Sequence, residues 1–401
     1  MTVQTGASRW VLTFACAVAI AGCGGDGDAT GPDIASVTVE PSVALAVGVG
    51  DTVSFVARVA DESGSLVPGA SVTWRSSNAA VAVVSAQGAA TAVGPGSTTV
   101  TATAGGASDA ATLEVWVPPT VTSYEPGTSY YGRKSYVEYI PGELPLILSA
   151  PHGGSLDPAE VPDRTYGETV TDANIVETTL EVRSALIART GKAPHVVISH
   201  LRRSKLDPNR EIVEAAQGNP FAENAWEEFQ GFLDIASQTV TRTYDSGFYI
   251  DLHGHGHTIA RAELGYLLTA GQLNHTDAEV DALGLPQYSS IRALAETSPL
   301  PFSRLLRGEA SLGGYLQARG VRSVPGPSDP SPGNDAYFNG GYNTARHGSR
   351  TAGRTVSGVQ MELPRPGIRD TEANRKAFGQ ALAGAVEAYM TEHFGFFRTP
   401  R

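Results

Sequence analysis

Residues 248–254 read FYIDLHG, and the run continues as HGH to His257. A short apolar run bounded by glycines reads as a strand buried on both faces, and this one ends in imidazoles instead of a turn. Outward from it stand LPLILSAP (144–151), HVVISHL (195–201) and GVQMELP (358–364), each an apolar strand. Between them DANIVETTLEVRSALIAR (172–189) has helical periodicity, Ala222 to Thr241 forms a long amphipathic helix, and Asn374 to Phe394 a closing helix. Strands alternating with helices predict an α/β domain with a mainly parallel sheet over residues 124–401. In such sheets ligands sit beyond the carboxyl ends of the strands. Three of these strands end in His152, His253 and Glu362, a pattern of a site more than of packing.

The chain has 401 residues, enough for two or three domains with real cores. Its apolar fraction of 41% argues against wholesale disorder, and its net charge of −12 against a general nucleic-acid binder. Both cysteines precede residue 24, which excludes a disulfide scaffold and any Cys-ligated metal in the body of the chain. Residues 1–22 carry one charge, Arg9, then an apolar run too short to span a bilayer. The stretch Ile20-Ala21-Gly22-Cys23 resembles the lipobox of bacterial lipoproteins. That resemblance implies a signal peptide over 1–22, lipidation of Cys23, membrane attachment through that lipid, a flexible tether over 23–33, and a place in the cell envelope. Gly24 after the cysteine leans to the outer membrane of a Gram-negative cell.

From residue 34 the texture changes to short, β-branched segments such as SVTVEP, TVSFVARVAD and STTVTATAGG, bounded by turn residues. Close-spaced short strands predict an all-β sandwich. The order of Val37–Pro41, Val53–Val59, Trp74, Gly94–Gly96 and Thr98–Ala104 resembles bacterial Ig-like domains of group 2 over residues 34–117. The module reads as a spacer or as an adhesive unit, and the spacer is favoured because no exposed aromatic cluster is evident. Residues 118–123, opened by a Pro pair, read as an extended linker.

Within 124–401 the His-Gly-His-Gly-His run at 253–257 is a metal signal, since neutral imidazole is the commonest protein ligand; the alternative is a hydrogen-bonded loop. A Gly pair follows His152 and suits close approach of a ligand to the backbone. The segment RSKLDPNR (203–210) offers Arg forks that suit a carboxylate, with Asp207 placed to orient them; a surface turn set by Asp-Pro-Asn is the other reading.

These blocks together resemble the N-formylglutamate amidohydrolase family, whose fold is related to zinc carboxypeptidases. SAPHGG (149–154), TDANIVETT (171–179), RSKLDPNR (203–210), the strand and His at 249–253, the glycine-containing loop FNGGYNTARHGS (338–349) and QMELPRP (360–366) follow in the family's order. The resemblance covers most of 140–395 and implies a phosphorylase/hydrolase-like fold holding one Zn²⁺ per chain, or another divalent metal in its place. Carried over, His152 and His253 look like zinc ligands, Glu362 like the general base, and Arg210 like the anchor of a substrate carboxylate or of the oxyanion, with Asn209 assisting. Zinc carboxypeptidases carry a His-x-x-Glu pair, but three residues after His152 stands Ser155. Either the carboxylate ligand comes from elsewhere or the site uses another metal geometry; as that ligand Asp172 is the first candidate and Glu168 the second, although Thr171 and Asp172 also suit the start of a helix. Arg203, Arg346 and His347 are candidate substrate contacts; Asp207, His255 and His257 are candidate partners behind the ligands, and the two histidines also candidate substrate contacts or a further metal point.

The expected activity is hydrolysis of an amide in an N-acyl amino acid or peptide, a small carboxylate-bearing substrate. Outside the cytoplasm, cell-wall peptides are one possibility. Two other classes stay open, a catalytically silent binding or adhesion lipoprotein and a carboxypeptidase or cell-wall peptide amidase.

Overall fold

A computed structural model describes residues 33–397 of the chain. The signal segment 1–22, the lipidation site Cys23 and the tether up to residue 32 lie outside the described residues. No helix among the described residues is long and apolar enough to cross a membrane.

The first part is all-β. Strands β1 (Ser36–Glu40), β2 (Val43–Val47), β3 (Thr52–Ser54), β4 (Val56–Ala60), β5 (Thr73–Ser76), β6 (Ala82–Val84), β7 (Ala89–Ala92), β8 (Gly96–Ala104) and β9 (Ala107–Trp116) form sheets of order β2-β9-β8-β5, β3-β7-β6 and β1-β4. Alternation decides the faces: Thr98, Val100, Ala102 and Ala104 of β8 point inward with Ala111, Leu113 and Val115 of β9. Trp74 is only partly buried and packs against this core.

The second part is α/β. Its strands are β10 (Tyr130–Tyr131), β11 (Val137–Ile140), β12 (Leu146–Ala150), β13 (His195–Ser199), β14 (Gly247–His255), β15 (Ala262–Gly265), β16 (Ser323–Val324) and β17 (Val356–Pro364), in the order β10-β11-β13-β12-β14-β17-β15-β16. The central four, β13-β12-β14-β17, are all parallel, and the sheet is mainly parallel. They are buried along nearly their whole length because helices cover both faces. Ile175–Thr190 and Glu372–Phe394 pack against Phe248, Ile250 and Leu252 on one side. Pro220–Tyr244 covers the other, started by Asn219, whose side chain accepts from the Phe221 and Ala222 amides. The direction of crossover reverses between β12 and β14: β13 lies on one side of β12, while β14 and β17 lie on the other. Such a switch point opens a crevice at the carboxyl ends of the strands, and His152 and His253 stand at those two ends.

Buried charge joins the two parts. Arg133, 1% exposed, gives Nε and Nη2 to the two oxygens of Glu114 on β9, both at 2.7 Å, and Nη1 to Glu160 at 2.6 Å. The Phe221 ring lies 4.3 Å from its guanidinium carbon. Leu45 of β2 packs into the apolar cluster that includes Phe229 and Leu233.

The Tyr342–His347 segment corrects the sequence reading. It is a helix inside the stretch read as a glycine-containing loop, and it carries Arg346 and His347 toward the Pro220–Tyr244 helix.

Candidate metal centre and its cleft

The carboxyl ends of β12, β14 and β17 bring His152, His253 and Glu362 to one cleft of about 510 Å³, also lined by Asp172, Glu168, Arg203, Arg210, His255 and His257. His253 and Glu362 are direct neighbours in parallel register.

His152 Nε2 lies 2.6 Å from Asp207 Oδ1, and His253 Nε2 lies 2.8 Å from Asp251 Oδ2. A carboxylate only accepts, so both Nε2 atoms carry protons and both rings present Nδ1 to the cleft. Those Nδ1 atoms are 3.0 Å apart, and Asp172 Oδ2 is 3.6 Å from each. Three donor atoms at these separations share a point about 2.0 Å from each, which is the bond length of zinc to imidazole and carboxylate. Imidazoles tied from behind by carboxylates are the usual arrangement of histidine ligands. The residues therefore fit a divalent transition metal.

The electrostatics agree. Burial opposes charge on His253, but Asp251 and Asp172 outweigh it and push its pKa up to about 10. Burial by itself would raise the Asp172 and Asp207 carboxyls; for Asp172 the two imidazoles, and for Asp207 mainly His152 and then Arg203, hold them well below the usual range. Glu362 differs: burial raises it, with Asp172 adding and His253 opposing. Gln360 Nε2 donates to Glu362 Oε1 at 2.8 Å.

Asp172 reaches the centre from the loop ahead of the helix. Its amide donates to His152 O at 2.9 Å, and its Oδ2 accepts from the Gly254 amide at 2.9 Å. The helix itself starts after Asn174, so Asp172 does not cap it. Glu168 stands in the cleft wall but turns Oε1 onto the Thr169 and Val170 amides, outside the three-residue cluster. The Gly pair after His152 serves packing, not a ligand. A β-carbon on Gly153 would meet Ile175 at 2.5 Å, and one on Gly154 would meet the His200 backbone at 2.2 Å.

The arginines divide. Arg203 Nε donates to Asp207 Oδ2 at 3.0 Å and Nη1 lies 3.7 Å from Asp172 Oδ1, so it is occupied in holding acceptor carboxylates. Arg210 is steadied by Asn209 O at 2.8 Å and Glu214 at 3.2 Å, and its side chain keeps 35% exposure in the cleft. Asn209 is buried, with Oδ1 accepting from the Asn343 amide at 2.8 Å and Nδ2 3.3 Å from Gln360 Oε1. Arg346 and His347 are not brought to the cleft. Arg346 pairs with Asp234 at 3.1 Å, and His347 Nε2 donates to Gln230 Oε1 at 2.7 Å. His255 and His257 line the cleft and meet Glu263.

Sequence reasoning missed Asp251, Gln360, Glu263 and Arg369. Asp251 had a signal: it stands two residues before His253, on the same face of the strand. Arg369 lies over Gly254, where a β-carbon would meet its guanidinium at 2.3 Å.

Residues 33–115 match the family model for the bacterial Ig-like domain (group 2). No curated protein matches the chain. Among solved structures, N-formylglutamate amidohydrolase from Ralstonia eutropha JMP134 is 12% identical over 63% of this chain and 94% of its own, with a TM-score of 0.38. A gene product of Agrobacterium tumefaciens is 14% identical over 64% of this chain and 96% of its own, with a TM-score of 0.37. Domains 4 and 5 of the S-layer protein SbsC are 21% identical over 21% of this chain, with a TM-score of 0.20, and the chain spans 54% of their length.

Proposed function

We propose that the chain is a zinc-dependent amidohydrolase of the cell envelope, anchored by a lipid on Cys23 and raised on its Ig-like part as a spacer. Its substrate is an N-acyl amino acid or a peptide end bearing a free carboxylate. The observation that carries this reading is the convergence of His152 Nδ1, His253 Nδ1 and Asp172 Oδ2 beside the buried carboxyl of Glu362. The motif resemblance of residues 149–366 to amidohydrolases supports it.

His152, Asp172 and His253 would hold the cation, which supplies a Lewis acid that polarises a carbonyl oxygen and acidifies water. Asp207 and Asp251 fix the rings so that Nδ1 faces the cleft. Gln360 holds Glu362 Oε1, which leaves Oε2 to accept a proton from water and pass it to the leaving nitrogen, a role worth roughly 10²–10⁴-fold. The high pKa of Glu362, caused by burial, suits it to carry that proton between the two steps. Arg210, the guanidinium that keeps an open side toward the cleft, pairs with the substrate carboxylate.

The test is hydrolysis of a panel of N-acyl amino acids and cell-wall peptides by the full chain, before and after chelation. Loss of turnover on chelation and its return on adding zinc supports the reading; turnover untouched by chelation, or none with any amide, sinks it. Fractionation of cells carrying Cys23→Ser tests the anchor, with release from the membrane fraction expected.

A further inference from the structure

The polar end of β14 does not stop at His253. His255 follows on the same strand face, His257 comes two residues later, and Glu263 faces them from β15. We propose that these three side chains form a second transition-metal site in the wall of the same cleft, sharing no ligand with His152, Asp172 and His253.

One ligand atom from each of the three lies within 4.8 Å of the other two. His255 Nε2 donates to the Arg261 carbonyl at 2.8 Å, which pins the ring and leaves Nδ1 as the lone pair. His257 Nδ1 lies 2.9 Å from Glu263 Oε1. The other oxygen of Glu263 accepts from the Phe338 amide at 2.8 Å, and the Phe338 ring lies flat on the His257 ring, with centroids 4.6 Å apart and planes at 15°. Carboxylate and ring are thus both fixed in orientation.

The second observation is charge. Glu263 is 0% exposed and sits directly opposite Glu362 in the antiparallel register of β15 and β17. Like charges at opposed positions of a sheet destabilise it, and burial sharpens the cost. Among the described residues the ion-pair partner of Glu263 is His257 alone. A divalent cation on Glu263 and the two imidazoles offsets that repulsion. Loading displaces the His257 amide, which lies 3.1 Å from His255 Nδ1, and replaces the contact between His257 Nδ1 and Glu263 Oε1. Gly256, with open space around it, gives the loop room to move. Two imidazoles and one carboxylate suit zinc or cobalt more than magnesium or calcium.

The experiment is zinc stoichiometry of the full chain in detergent, stripped with chelator, reloaded with zinc alone and measured by elemental analysis after gel filtration. Two zinc ions per chain are expected in the wild type, one in His257→Ala, one in the isosteric Glu263→Gln, and one in His253→Ala. A cobalt titration followed by visible absorption should saturate at two equivalents in the wild type and at one in Glu263→Gln, with circular dichroism showing that the variant is folded. A wild type whose zinc is all lost in His253→Ala overturns the site, and so does a zinc count that neither His257→Ala nor Glu263→Gln lowers. This second site rests on the first centre of the proposed function only for the total: a single wild-type zinc that survives His253→Ala and is lost in Glu263→Gln would fail the first centre and leave this site standing, so the two failures are distinguishable.

Discussion

Two clusters of charge, one at the seam between the Ig-like and α/β parts and one in the cleft, are both built around a buried group and are differently complete. At the seam Arg133 meets two carboxylates through four N–H···O bonds, and Glu114 and Glu160 answer its charge. In the cleft two ring nitrogens face each other at 3.0 Å with a carboxylate 3.6 Å from both, and only a proton or a cation reconciles them. Burial alone therefore does not distinguish a structural network from a site. The distinction lies in whether the groups satisfy one another without anything added.

The comparison breaks most sharply at His253. His253→Ala should abolish zinc-dependent hydrolysis and lower bound zinc, read by turnover and elemental analysis, while the seam and the Ig-like core hold. Glu362→Gln should keep its metal and lose roughly 10²–10⁴-fold in kcat. The wild-type acid limb of kcat/KM should stand above the ordinary carboxylate range, because burial raises that carboxyl. The same shift has a stability consequence in chelator-treated protein. A carboxyl raised on folding contributes stability below its unfolded pKa and loses it as pH rises, so Glu362→Gln should melt higher than the wild type at neutral pH.

Arg133→Ala tests the other cluster. It should cost about 2–3 kcal/mol in denaturant melts, below the roughly 3–5 kcal/mol of a fully buried broken pair because Glu114 and Glu160 keep some water, with kcat/KM of the cleft unchanged. Its pH dependence has the opposite sign. Burial would raise Glu160, but Arg133, Lys134 and Tyr136 bring its pKa down to about 2; its contribution is complete above the unfolded value near 4.5 and fades as pH falls toward 2. The smallest effect is expected at Arg346. Paired with Asp234 outside the cleft, Arg346→Ala should change kcat/KM less than about threefold; a large loss would mean that the Tyr342–His347 helix moves toward the substrate.

Much of this was legible because local pattern and site coincide. The apolar runs at 144–151, 248–254 and 358–364 are strands buried by helices on both faces, and their polar ends could be read as a cleft. Asp172 was reachable as a candidate because it stands in a block with the right neighbours. The rest depended on pairing between distant segments. That Glu263 faces Glu362, or that Gln360 holds one oxygen of it, follows from the register of β15 on β17, which no local pattern records. The position of His347 depended on six residues after Gly341 winding into a helix, and the glycines before them masked that turn.

Strand β14 places Tyr249, Asp251, His253 and His255 at alternate positions along one side, while Phe248, Ile250 and Leu252 occupy the other. Phenol, carboxylate and both imidazoles are thus threaded on a single backbone with a two-residue step. Deleting one residue between Gly247 and Tyr249 would turn the whole set over at once, driving four polar groups into hydrocarbon and exchanging leucine and isoleucine for them. The strand itself therefore tolerates substitution but no change of length.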